Sequence, residues 1–347
     1  MIATFRVLMI LSIGIACAPA GFLATARADE VPSVDEILEM EKRMLETRKA
    51  IRSGRVVVRT RLTKFPRDPS QENVTWRHET YLEDGNIRVD SSVGENRSQT
   101  IVTPDNMIRG FSDQSSVHVF GPQTRPERPD GVSDPRRLGI VVWYYDSINN
   151  HGYEGIFLNP NRDQFKVEAG TDAGEPVWKV SFRMSIETLP RPIFGEYWLS
   201  ESKGGLPVYI GTRDEGGDEE YSESLNVKLK EYGPGGVWFP SEATFRRTRG
   251  GEILTEQITT VEEAVFGEDL PDETFMLAGM GLPEGKIIDF DGELATWNGQ
   301  RAVGQGEGGI GPAPPPSGRV WWAMISIVLA VVAAVLLGLR AKRRRAA

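Results

Sequence analysis

The sequence predicts an α+β protein that is mainly β: an antiparallel sheet covered by an N-terminal helix and a helical insert, followed by one C-terminal transmembrane helix. Three observations predict it. Beyond residue 54 the chain breaks into short segments that alternate apolar with polar residues and are separated by Gly, Asp, Asn and Pro, the pattern of antiparallel strands. Before residue 54 the apolar positions recur near helical spacing instead. Near the C-terminus, 320–339 is an uncharged apolar run of twenty residues, which as a helix spans about 30 Å, the thickness of a bilayer's hydrocarbon core.

The two ends fit that topology. Arg6 precedes the apolar stretch 7–16, and Ala26-Arg27-Ala28 offers small residues at a cleavage point, so 1–28 reads as a secretory signal peptide. Arg340, Lys342, Arg343, Arg344 and Arg345 make 340–347 a basic tail, which the positive-inside rule places in the cytoplasm. Residues 29–295 are then an extracytoplasmic domain, periplasmic or surface-displayed, on a single-pass cell-membrane protein. Residues 296–319, rich in Gly and Pro, form a spacer that lifts the domain off the membrane. The same spacer, apolar helix and basic cluster also resemble a C-terminal sorting signal that a transpeptidase removes, although no recognition motif precedes Val320.

Composition narrows the partners. The one cysteine, Cys17, lies in the leader, which leaves the domain no disulfide, no thiolate metal site and no cysteine nucleophile. The chain carries a formal net charge of −9, and its two ends hold eight basic residues and no acidic one, so residues 29–318 carry −17. Such a surface repels nucleic acid and favours solubility or a basic partner.

Within the domain, Ser33 and Glu36 stand at capping-box spacing, Val34, Ile37, Leu38, Leu45 and Ile51 follow near helical period, and Gly54 stops the run. This is an amphipathic helix over 33–52. Strands are expected at 55–64, 74–82, 86–92, 99–103, 107–112 and 117–120, with Asp84-Gly85 as a hairpin turn. A polar, proline-rich loop over 121–135 leads to an apolar and aromatic helical patch at 138–148. Strands resume at 164–168, 177–187, 194–200, 207–212, 221–232, 242–248 and 253–261.

The alternation also marks a candidate binding face. Trp178, Val180, Phe182 and Met184 alternate with Lys179, Ser181, Arg183 and Ser185, and Leu225, Val227 and Leu229 repeat the pattern against Asn226, Lys228 and Lys230. An antiparallel sheet with so apolar a face must cover it with a helix, a second sheet or a ligand. The seven apolar side chains are therefore either plain core, with helix 33–52 as the cover, or the lining of an apolar concavity.

The order of elements resembles the LolA-like superfamily of periplasmic lipoprotein carriers and related lipid-binding or sensor domains. The resemblance is carried by 82–90 as the first hairpin, by Tyr197-Trp198-Leu199 with Gly205-Leu206-Pro207-Val208, by Val237-Trp238-Phe239-Pro240 and by 270–277, and it covers roughly 33–290. It implies a curved half-barrel with a concave surface that takes a lipid, an acyl chain or a hydrophobic segment of a partner. Two departures stand out: a tethered chain cannot act as a diffusing shuttle, and Asp84 and Gly85 occupy the place where the carriers have an arginine before a proline. What the resemblance implies is a displayed binding module; a scaffold that docks an envelope protein through its acidic exterior is the alternative.

Nothing in the sequence points to an enzyme, a cofactor or a metal. His78, His118 and His151 lie far apart and in no metal-ligand spacing, and read as surface residues. No nucleophile elbow, phosphate loop or dinucleotide fingerprint occurs, and the run Asp214 to Glu220 lacks the ordered spacing of a calcium loop.

Overall fold

The computed structural model describes residues 31–66, 68–111, 116–124, 134–140, 156–185, 192–214, 221–233 and 235–304. The expected signal peptide, transmembrane helix and basic tail lie outside them, as does the helical patch beyond Ile140. Among the described residues no helix is long and apolar enough to cross a membrane.

One helix opens the fold, α1 (Val34–Lys49). Its start is set as the sequence requires: the Glu36 amide donates to the Ser33 hydroxyl, and the Ser33 amide donates to the Glu36 carboxylate at 2.8 Å. It ends three residues short of the expected 52, because Ile51 turns away into the core at the entry to the first strand.

Sixteen strands follow among the described residues. The first six are β1 (Ser53–Lys64), β2 (Thr75–Glu83), β3 (Asn86–Val93), β4 (Asn96–Val102), β5 (Met107–Phe111) and β6 (Ser116–Phe120). Seven more are β7 (Arg162–Asp172), β8 (Glu175–Met184), β9 (Ile193–Ser200), β10 (Leu206–Asp214), β11 (Tyr221–Tyr232), β12 (Val237–Arg249) and β13 (Glu252–Phe266). Three short ones end the described chain: β14 (Ile287–Phe290), β15 (Glu293–Trp297) and β16 (Ala302–Gly304).

All belong to one sheet, in the order β16-β15-β14-β6-β5-β4-β3-β2-β1-β13-β12-β11-β10-β9-β8-β7. The chain meanders outward from the central β1 to β6, resumes at the far edge with β7, and meanders back until β13 pairs with β1. It then crosses the sheet once more, and β14 adds to β6 in parallel, the one such pair among the described residues. Most of this is antiparallel neighbour pairing, which short turns supply; Asp84 and Gly85 both take positive φ, 44° and 93°, as a two-residue hairpin turn demands.

The last three strands correct the domain boundary. Trp297 and Ala302 are buried, so the spacer expected from 296 is still sheet as far as Gly304. The pairing that recruits these residues spans some 170 positions of sequence, from β6 to β14, and no local pattern announces it.

Register places two hydrophobic cores on opposite faces. On one face, Val56 and Val58 of β1 align with Ala264 and Val261 of β13, and a row of cross-strand partners on the same face runs through Phe245, Leu225, Ile210, Tyr197 and Val180 toward the β7 edge. Helix α1 lies on this face with Ile37, Met44 and Leu45 buried against it. On the other face, one residue out of phase, Ile101, Ile108, Val117 and Ile288 pack with Phe275, Met280 and Trp297. Two 3-10 turns, Asp272–Phe275 and Leu277–Met280, cover this second core.

A glycine in the middle of β9 has a packing reason. A Cβ on Gly195 would stand 2.1 Å from the Phe182 ring, so the absence of a side chain lets the aromatic lie across its neighbour strand.

Candidate functional site

The seven residues expected to line a concavity do share one face, and that face is filled by the chain itself. Val180, Phe182, Met184, Leu225 and Val227 are buried, and Trp178 and Leu229 pack partly buried against the same cluster. Phe182 is only 1% exposed, held between Phe165 and Tyr197. What covers the face is α1 together with Leu138, Ile140 and Phe157.

Set into that core is a polar group the sequence reading missed. Glu41 of α1 is 0% exposed, and both guanidinium nitrogens Nη1 and Nη2 of Arg162 donate to it at 2.8 Å. The Tyr197 hydroxyl donates to the same carboxylate, and so does the Leu158 amide at 3.0 Å. Burial, then the Glu41 charge, pushes the Tyr197 hydroxyl well above its usual range. The group fastens α1 to β7 and β9. Only its burial distinguishes Glu41 from the other acids of α1, so spacing alone could not single it out.

An open volume lies on the other face. A cleft of about 610 Å³ is bounded on one side by β2, β3 and β4 and on the other by 280–286. Its charged wall presents Arg77 and Glu79 from β2, Asp90 from β3, and Arg97 and Gln99 from β4; its apolar wall presents Phe111, Val117, Met280, Leu282 and Pro283, with Lys286 at the rim. The wall formed by 280–283 is held in place by Arg88, which donates to the carbonyl oxygens of Thr274 at 3.2 Å and Gly279 at 2.7 Å. Gln99 adds a tie when its amide nitrogen faces the Met280 carbonyl oxygen, 3.0 Å away.

Both acids of the cleft are already engaged. Glu79 accepts from Arg55 and from the Tyr81 hydroxyl, each at 2.6 Å, and from Arg77 at 3.1 Å. Burial would raise this carboxyl, but the Tyr81 and Arg55 hydrogen bonds outweigh it and hold it below the usual carboxylate range. In return burial and Glu79 push Tyr81 up to about 12. Asp90 accepts from Arg88 at two points, 2.8 and 2.7 Å. Arg55 and Arg88 share this face of the sheet with the two acids and neutralise them from beside the cleft, outside its lining.

His78, read from sequence as a surface residue, is 5% exposed on the helix side of β2, where its Nδ1 lies 2.7 Å from the Ser91 hydroxyl. Burial lowers its pKa to about 4. His118 sits apart on β6, 3.2 Å from Asp289 of β14. Among the described residues no group of three His, Cys, Asp or Glu side chains is placed to hold a metal ion.

No protein-family model matches the chain, and neither does any curated protein. Among solved structures the chain is similar in fold to a putative outer membrane lipoprotein-sorting protein domain from Vibrio parahaemolyticus, at 10% identity and a TM-score of 0.42, over 70% of this chain and 97% of that one. It is also similar to a LolA superfamily protein from Nitrosomonas europaea, at 12% identity and a TM-score of 0.37, over 71% of this chain and 98% of that one.

Proposed function

We propose that this chain is a ligand-binding module of the cell envelope whose site is the cleft on the face away from α1, and that its ligand is a small amphiphile, a lipid or the acylated end of a lipoprotein being the natural class. One observation carries the reading: a single cleft offers a charged wall and an apolar wall facing each other, in a volume within the roughly 300–1,000 Å³ of small-molecule sites. We read its role as binding, with Glu79 and Asp90 each already engaged by arginines. Placement at the envelope, by a cleaved leader and an anchor at 320–339, rests on the sequence.

The test is hydrogen–deuterium exchange on the full chain in phosphatidylcholine nanodiscs, with and without soluble eight-carbon amphiphiles. Protection of β2 to β4 and of 280–286 is expected. Protection confined to α1 and β8 to β11, or none at all, would overturn the reading.

The scaffold alternative draws on the close packing beneath α1 and predicts no ligand in the cleft. Phe182→Asp does not separate the two, because a carboxylate at a position 1% exposed unfolds the domain under either.

A further inference from the structure

Three polar side chains meet on β6 and β14, on the face of the sheet away from the cleft. Val117 lines the cleft, so Ser116 and His118, its neighbours on β6, project to the opposite side. The parallel pairing of β6 with β14 sets His118 opposite Asp289. His118 Nδ1 lies 3.2 Å from the Asp289 carboxylate, and His118 Nε2 lies 3.3 Å from the Ser116 hydroxyl oxygen. The other carboxylate oxygen of Asp289 accepts from the Gly292 amide at 2.6 Å, which fixes the acid from the turn between β14 and β15.

An ionised carboxylate can only accept, so Nδ1 carries the imidazole hydrogen and Nε2 keeps its lone pair toward the Ser116 hydroxyl. Nucleophilic catalysis needs that order: a hydroxyl against a base, and the base oriented by a third group. Bracing does not account for it. The His118–Asp289 contact ties β14 to β6, but Ser116 and His118 belong to one strand, and their contact joins no two elements. A cation stands beside the group. Arg109 of β5 is the cross-strand partner of His118, and its guanidinium lies over the Phe111 ring, toward the Ser116 end of β6. A positive group there favours negative charge developing on a substrate oxygen. Phe120 stacks on the imidazole at 6.0 Å, and Leu294, 49% exposed, stands opposite Asp289; both offer surface to a hydrocarbon chain. The group is open to a substrate, since the His118 side chain is 37% exposed.

We propose that Ser116, His118 and Asp289 form a site, separate from the cleft, that hydrolyses carboxylic esters with an apolar acyl chain. Ser116 Oγ attacks the carbonyl carbon while its proton passes to His118 Nε2, and the carbonyl electron pair moves onto oxygen. As that pair returns, the bond to the alcohol oxygen breaks and the alcohol leaves with the proton from Nε2. Water then attacks the acyl-serine by the same route, which releases the carboxylic acid and restores Ser116. Asp289 is a positioning residue: it holds the ring's orientation and offsets the charge on the imidazolium.

The experiment uses the full chain in nanodiscs of ether-linked phosphatidylcholine, whose lipid offers no ester. Its substrates are p-nitrophenyl octanoate and p-nitrophenyl acetate, and its covalent probe is an alkyl fluorophosphonate. The probe should lose fluoride to Ser116, located by peptide mapping of the native chain, a result that needs no variant to fold. Octanoate hydrolysis should fall about a hundredfold in Ser116→Ala and in His118→Gln, with the thermal midpoint unchanged. In Asp289→Asn it should fall about tenfold, in kcat with KM unchanged, and probe labelling should slow in parallel. Absence of labelling, labelling at a residue other than Ser116, or undiminished hydrolysis in Ser116→Ala would overturn the site and leave the cleft untouched. If the native chain shows the same kcat/KM for acetate as for octanoate, the hydrolytic group stands and the apolar chain drops out of the substrate class.

Discussion

At the scale of single residues, the buried ion pair Glu41–Arg162 decides how α1 is seated. Two charges taken out of water are tolerated only when each finds its partner, and here the carboxylate accepts from Arg162 twice, from Tyr197 and from the Leu158 amide. Removing one partner leaves an uncompensated charge: Arg162→Met should cost about 3–5 kcal/mol in chemical denaturation. The double variant Glu41→Leu with Arg162→Met should recover most of that, because a well-packed apolar pair replaces the ionic one at little cost; a double variant as unstable as the single would refute this account. His78 gives a pH signature. Its folded pKa, about 4, lies below the ordinary 6.5, so the unfolded chain takes up the proton first as pH falls. Its stabilising contribution is complete above pH 6.5 and declines toward pH 4, by about 3 kcal/mol in all. A His78→Gln variant should show a shallower loss of stability across that window, and an identical pH profile would contradict the assignment.

At the scale of elements, the glycine in β9 tests how tightly the sheet is packed beneath α1. Phe182 lies over Gly195, and a methyl group there would meet the ring at 2.1 Å. Gly195→Ala should therefore destabilise by about 1–3 kcal/mol despite adding β-propensity, as overpacking of a closed site does. Paired with Phe182→Leu, the same substitution should cost less than the two changes summed. α1 itself was legible from Ser33 and Glu36, whose reciprocal hydrogen bonds form as their spacing requires. The strands from β1 to β13 were legible from alternation, which is a property of neighbouring residues. β14 to β16 were not: Asp291-Gly292 between two short apolar runs was the available turn signal for β14 and β15, and from 296 on Gly and Pro made the chain look like spacer.

At the scale of the whole molecule, the two cores lie on opposite faces and should respond independently. Leu199 on β9 belongs to the core under α1, and Ile101 on β4 to the core under the 3-10 turns, with seven strands between them in the sheet. Leu199→Ala and Ile101→Ala should each cost about 2–5 kcal/mol, and the double variant their sum to within about 0.5 kcal/mol. A coupling well above that would mean that the faces share one packing unit. The division also explains where the open volume lies. The wide apolar face has a helix to cover it, whereas the second core is roofed only over part of β4 to β6 and β14, and the charged strip of β2 to β4 beside it remains as a cleft wall.

What the sequence determined by itself is the kind of each element and the pairing of its residues into two faces, because a period of two, a capping box and a positive-φ turn are set by residues a few positions apart. Which face would be closed and which left open was decided only by tertiary structure. The seven apolar residues on β8 and β11 became core because β13 returned to β1 and α1 settled over the face they share. Ser116, His118 and Asp289 met because a chain some 170 residues further on came back to lie beside β6. Such meetings depend on which strands pair across the whole length of the chain, and no window of local sequence contains that information.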